Sequence, residues 1–232
     1  MTIIWVVRHG QASFGDLDYD VLSETGIEQS TLTGLFFKDT VVEFNAWYTG
    51  SMKRQIDTAG YARKEVGTGV IIKENRCFDE YNFKEIIKSH LDGVKKEYPS
   101  IEKDLQHIFT DNISFQRVYG KIMKRWISGN YDEENIETYI GFKKRVKEGL
   151  FSIAAENQEH SVLAVFTSGG VLSVIMQHAL NLSDHEAMRL GWNIQNTSIS
   201  KFKISNGRIN LLLFNQMAHL ENLARPELLT YR

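Results

Sequence analysis

The chain has 232 residues, 42% of them hydrophobic and 24% charged, the composition of an ordinary globular protein and not of a fibrous or disordered one. Its formal net charge of -2 leaves no basic footprint for nucleic acid. One cysteine, Cys77, excludes an internal disulfide and fits a reducing compartment.

The scattered histidines have no metal-ligand spacing, so neither a metal nor a cofactor is expected. No apolar run approaches the ~18 residues of a membrane span. The N-terminus enters a strand with neither a basic region nor a cleavage signal, so a cytoplasmic protein without a membrane partner is expected. The length predicts a single domain over residues 1–232, with one insertion. Composition says nothing about oligomeric state.

Ile3-Ile4-Trp5-Val6-Val7 reads as a strand buried on both faces, and it stops at Arg8-His9-Gly10. A polar loop follows, then a helix capped by Ser23 with Ile27, Leu32, Leu35 and Phe36 at helical spacing. A second strand is predicted at 46–49. Gly50 ends it, and Ser51 is placed to cap a helix through Ala62, with Arg54 in the first turn. A third strand is predicted at 69–73, running into a loop at 76–80. Residues 81–135 are rich in Lys, Glu, Tyr and Phe and read as a helical insertion over the site. Tyr139, Phe142, Val146, Leu150 and Ile153 mark one face of a long helix. The run Val162 to Phe166 is another apolar strand, ending in Thr167-Ser168-Gly169-Gly170 before an apolar helix. Ser183 and Glu186 have capping-box spacing. A hairpin with its turn at Asn206-Gly207 closes the chain. The alternation predicts an α/β fold: a three-layer α/β/α sandwich, its sheet mostly parallel, with helices on both faces.

The two strongest strands end in loops leading to helices, where amides and helix N-termini suit an anion. Arg8, His9, Arg54 and Ser168 converge there, with Glu80 on a neighbouring loop. Two guanidinium forks fit phosphate oxygens in pairs. They also lower the pKa of a nearby imidazole, leaving it neutral and nucleophilic at pH 7. A carboxylic acid near the leaving oxygen supplies its proton.

At these residues the sequence resembles the histidine phosphatase superfamily, the branch containing cofactor-dependent phosphoglycerate mutases and many bacterial phosphatases. Arg8-His9-Gly10 is similar to its signature, Leu22-Ser23-Glu24-Thr25-Gly26 to its Leu-Ser-x-x-Gly, the run Ser51 to Ala59 to its Ser-x-x-Arg segment ending in Thr-Ala, and Phe78-Asp79-Glu80 to its acidic segment. The resemblance implies that His9 is the phosphorylated nucleophile, that Arg8 and Arg54 hold the phosphoryl group, and that Glu80 is the general acid. Ser168 and Gly169 join them as phosphate-pocket residues. The chain departs from the family at one place. Ser168 stands where a second histidine is expected. A neutral donor in place of a charged one costs roughly 1.5–3 kcal/mol, less what the hydroxyl recovers, so a slower phosphatase is expected rather than a dead one.

Blander readings stand beside these. His9 is a core histidine if the other segments mean nothing, and Arg54 a surface arginine. Asp79 and Glu74 compete with Glu80. Ser168 is not a nucleophile-elbow serine, because Phe166 holds the first glycine position. Gln11, Phe14 and Asn196 line the site or only form its loops. His178, His185 and His219 read as structural or surface residues.

The expected function is metal-independent hydrolysis of phosphate monoesters, on a small phosphorylated substrate or a phosphoprotein. The alternatives are a phosphoglycerate mutase and a non-catalytic phospholigand-binding member. The Trp-Asn pair and Arg-His-Tyr run typical of mutases are replaced by Ala12-Ser13-Phe14-Gly15 and Tyr81-Asn82-Phe83. Tyr81, Phe83, Lys84 and Lys88 of the insertion are expected to contact the leaving group.

Overall fold

A computed structural model of the chain describes residues 1–13, 20–40, 42–67, 69–108 and 110–231, without the side chain of Asn112. In chain order its elements are β1 (Thr2–Arg8), α1 (Glu24–Asp39), β2 (Ala46–Thr49), α2 (Lys53–Val66), β3 (Ile72–Glu74), α3 (Phe83–Glu97), α4 (Glu102–Leu105), α5 (Asn112–Ser128), α6 (Tyr139–Glu156), β4 (Val162–Thr167), α7 (Gly169–Leu180), α8 (Asp184–Gly191), β5 (Ile199–Ser205), β6 (Arg208–Gln216) and α9 (Ala218–Glu221). The strands form one sheet in the order β3-β2-β4-β1-β5-β6. The four from β3 to β1 are parallel, and β5 and β6 are antiparallel to their neighbours. This is the expected α/β fold.

The sheet's inner strands are apolar on both faces because both are covered. Trp5, Val7, Trp47, Ala164 and Phe166 share the face packed on Phe37 of α1 and on Ala59 and Ala62 of α2. Ile4, Val6, Leu163 and Val165 alternate with them and are equally buried. On that side α7 lies along β1 and β6, and Asn157, just past α6, donates to Tyr48 Oη at 2.9 Å. A small third cluster (Met217, Leu220 and Leu228, against Leu32) fixes the C-terminal segment to α1.

Ser23 caps α1 as expected, its Oγ accepting the Gly26 N–H at 3.1 Å. The capping box of α8 and the hairpin turn also form, with Asn206 and Gly207 both at positive φ, 51° and 71°. Two local expectations are corrected. The third strand starts at Ile72, not Gly69, because the backbone is still turning at Gly69 and Val70. Ser51 does not cap α2. Its hydroxyl is bonded to Asp79 Oδ2 at 2.8 Å, and Asp20 from the loop after β1 accepts the Lys53 N–H at 2.8 Å instead.

The chain divides into two compact units, Met1–Glu80 with Val146–Arg232, and Tyr81–Arg145. The second unit, Tyr81–Arg145, is longer than the stretch 81–135 that the sequence set apart. Its core is aromatic. Trp126 packs on Tyr81, Tyr139 and Phe142, and its indole N–H donates to the Glu137 carbonyl at 2.7 Å.

The α1–α2 crossing depends on a missing side chain. A Cβ on Gly34 would lie 2.3 Å from the Ala62 carbonyl oxygen. Gly34→Val is therefore expected to destabilise the protein by about 1–3 kcal/mol or more in urea unfolding. An unchanged midpoint would contradict the close crossing.

Candidate active site

Arg8 and Thr167 are register partners in parallel strands, and the His9 N–H continues the ladder to Thr167 O at 2.8 Å. His9 and Ser168 therefore leave the sheet side by side at its carboxyl edge, the edge where open α/β sheets bind ligands. The first turn of α2 delivers Arg54 to the same place.

His9 is buried, 4% exposed. Its Nδ1 lies 2.7 Å from Gly10 O. A carbonyl oxygen only accepts, so Nδ1 carries the proton and Nε2 presents its lone pair. Arg54 Nε–H donates to that Nε2 at 3.1 Å. Burial first, then the charges of Arg54 and Arg8, hold the His9 pKa well below its usual 6.5. The ring is neutral at pH 7, with the proton on Nδ1 and the lone pair on Nε2.

Arg54 is 6% exposed and is held by Asp20, which accepts from its NH1 group at 2.7 Å. The same carboxylate accepts two backbone N–H groups at the start of α2. Arg8 donates to the Ile194 carbonyl. Its guanidinium lies against Gly169, where a Cβ would sit 3.7 Å from Arg8 Nε. Glu80 Oε2 accepts the Gly170 N–H at 2.9 Å, in the first turn of α7. Its neighbour Asp79 is engaged with Ser51, and Glu74 is exposed on β3. Ser168 is fully buried, and its Oγ accepts from Gln55 Nε2 at 2.8 Å.

The other sequence candidates have structural partners. Gln11 N–H donates to Gln29 Oε1 at 2.8 Å, and its own carboxamide oxygen accepts from Ser23 at 2.9 Å. Asn196 is fully buried and donates to the His9 carbonyl at 3.1 Å. It also accepts from Thr230 Oγ1 at 2.9 Å, and Gln29 Nε2 donates to that hydroxyl at 2.9 Å. A buried polar chain thus runs from the C-terminal segment to the backbone of His9. Phe14 lies outside the described residues. Tyr81 and Phe83, expected near a leaving group, pack on other aromatic residues of the second unit. His178 lies in the last turn of α7, and His185 is exposed on α8. Asp20, Gln29, Gln55 and Thr230 were missed by the sequence reading, since each acts on a residue far away in the chain.

Residues 4–217 match the family model of the histidine phosphatase superfamily (branch 1). The chain belongs to this superfamily. Three solved structures are similar to it over nearly the whole of both chains. Bacillus stearothermophilus YhfR is 19% identical with a TM-score of 0.64, covering 94% of this chain and 99% of its own. The phosphoserine phosphatase of Entamoeba histolytica, in complex with 3-phosphoglyceric acid, is 18% identical with a TM-score of 0.63, covering 95% and 100%. The phosphoglycerate mutase of Bacillus anthracis is 19% identical with a TM-score of 0.64, covering 97% of each chain. At these identities the likeness is one of fold. No curated protein sequence matches the chain. Among the described residues, no three His, Cys, Asp or Glu side chains group as a metal site would, and no helix is long and apolar enough to cross a membrane.

A second buried histidine supports this edge from behind. His219 Nε2 lies 3.4 Å from Thr33 Oγ1 and 3.3 Å from Thr197 Oγ1. Both hydroxyls donate elsewhere, to Gln29 O and Asn196 O, so Nε2 carries the proton. Burial lowers the His219 pKa to about 4. A depressed histidine pKa means that the unfolded chain binds the proton more tightly. Stability is therefore unaffected above pH 6.5 and falls as pH drops toward 4, by up to about 3 kcal/mol for this group. Urea unfolding at pH 7 and pH 4.5 is expected to show a smaller acid loss in His219→Gln than in the unsubstituted protein. Equal losses would contradict the neutral buried ring.

Proposed function

We propose that this protein is a metal-independent phosphatase that hydrolyses phosphate monoesters through a phosphohistidine on His9. The observation that carries this reading is the bare Nε2 of a neutral, buried imidazole aimed at a guanidinium. A phosphoryl group arriving there takes over the Arg54 N–H and frees the lone pair to attack phosphorus. The bond from phosphorus to the ester oxygen breaks as the bond to Nε2 forms. Glu80, hydrogen-bonded to the first turn of α7, gives its proton to the leaving oxygen. It then takes a proton from the water that attacks the phosphohistidine, so that one alcohol and one phosphate are released per water consumed. Arg8, Arg54 and Gly169 receive the phosphoryl oxygens, where forked donors and a helix N-terminus favour negative charge. Ser168 supplies a neutral donor where most of the family has a histidine, so turnover is slower than in relatives that keep it.

The substrate is a small phosphorylated metabolite. This choice is supported by the complex of the Entamoeba histolytica phosphoserine phosphatase with 3-phosphoglyceric acid. A mutase, the activity named for the Bacillus anthracis structure, is the weaker reading because the mutase runs beside the signature and acidic segments are replaced here.

Turnover of p-nitrophenyl phosphate, with an acid-labile phosphoenzyme trapped on quenching, tests the proposal. His9→Ala is expected to lose the phosphoenzyme and at least about a thousandfold in kcat. Equal turnover in His9→Ala would refute it.

A further inference from the structure

Gln55 follows Arg54 on α2 and repeats its contact one strand over. Arg54 reaches His9 beyond the end of β1, and Gln55 reaches Ser168 beyond the end of β4. Consecutive helix residues thus clamp adjacent residues of two paired strands. The direction of the second contact is fixed by a third group. The Gln55 carboxamide also lies 3.1 Å from the Phe78 carbonyl oxygen. That oxygen only accepts, so the nitrogen end of the amide faces it, and the same nitrogen donates to Ser168 Oγ. The amide oxygen lies over Gly50, where a Cβ would stand 2.0 Å away. A side chain at position 50 would expel the carboxamide from this place.

Ser168 is fully buried and accepts from Gln55, while no described residue takes its hydroxyl proton. We infer that Gln55 is a positioning residue for the phosphoryl transfer: it fills one lone pair of Ser168 Oγ and thereby directs the Ser168 proton at the phosphoryl group bound beside His9. This rests on the phosphohistidine reading and adds to it a residue that touches neither substrate nor nucleophile. The carboxamide compensates in part for the charge that a serine lacks, because a hydroxyl whose oxygen already accepts is a stronger donor.

The test is a double-mutant cycle of Gln55→Met, which conserves volume, with Ser168→Ala. The readouts are kcat and KM for p-nitrophenyl phosphate, the Kd for orthovanadate, and the urea midpoint. Each single variant is expected to lose about five- to tenfold in kcat and in orthovanadate affinity, and the double no more than the worse single. Gln55→Glu is expected to lose more than Gln55→Met, because a carboxylate takes the Ser168 proton for itself. Multiplicative losses in the cycle, or a Gln55→Met that lowers the urea midpoint and leaves kcat and Kd unchanged, would overturn the inference while leaving His9 chemistry standing. Turnover that survives His9→Ala would overturn the phosphohistidine reading and this inference with it.

Discussion

The contact between Arg54 Nε–H and the lone pair of His9 Nε2 governs the rest of the site. It exists only because the ring is neutral, and the ring is neutral because burial and two guanidinium groups oppose its charge. The Gly10 carbonyl decides which nitrogen is left bare. Three local facts, a buried ring, a backbone acceptor and a neighbouring cation, therefore leave one imidazole nitrogen with a bare lone pair.

Much of the surrounding fold serves to keep that contact in place. The N-terminus of α2 must sit against the ends of β1 and β4, and Asp20 holds it there by accepting backbone N–H groups and the Arg54 guanidinium together. Gly34 lets α1 pack closely on α2. From the other side, Asn196 holds the His9 carbonyl and is itself tied to the C-terminal segment through Thr230 and Gln29. Among these groups the buried ones, Gln29, Arg54 and Asn196, are all engaged, as a low-dielectric interior demands.

What could be read from the sequence follows the range over which its signals act. Apolar runs gave the strands β1, β2 and β4, because burial on both faces leaves a continuous imprint. Ser23 and the Ser183–Glu186 box were legible because caps act within one turn. The Asn206-Gly207 turn was legible because few residues accept positive φ. Ser51 misled because a cap from thirty-odd residues away, Asp20, replaced it. β3 was placed early because an apolar run at an edge does not mark where pairing starts. The site residues were named from strand ends and family-like segments. Gln55 and Thr230 were invisible, since nothing local distinguishes a buried glutamine that orients a serine from one in solvent.

The most direct measurement of the central claim is the 15N NMR spectrum of the His9 imidazole across a pH titration of the unliganded protein. The ring is expected to be neutral, protonated at Nδ1 and bare at Nε2, with no titration near pH 6.5. An imidazolium at pH 6.5, or a proton on Nε2 at neutral pH, would contradict it.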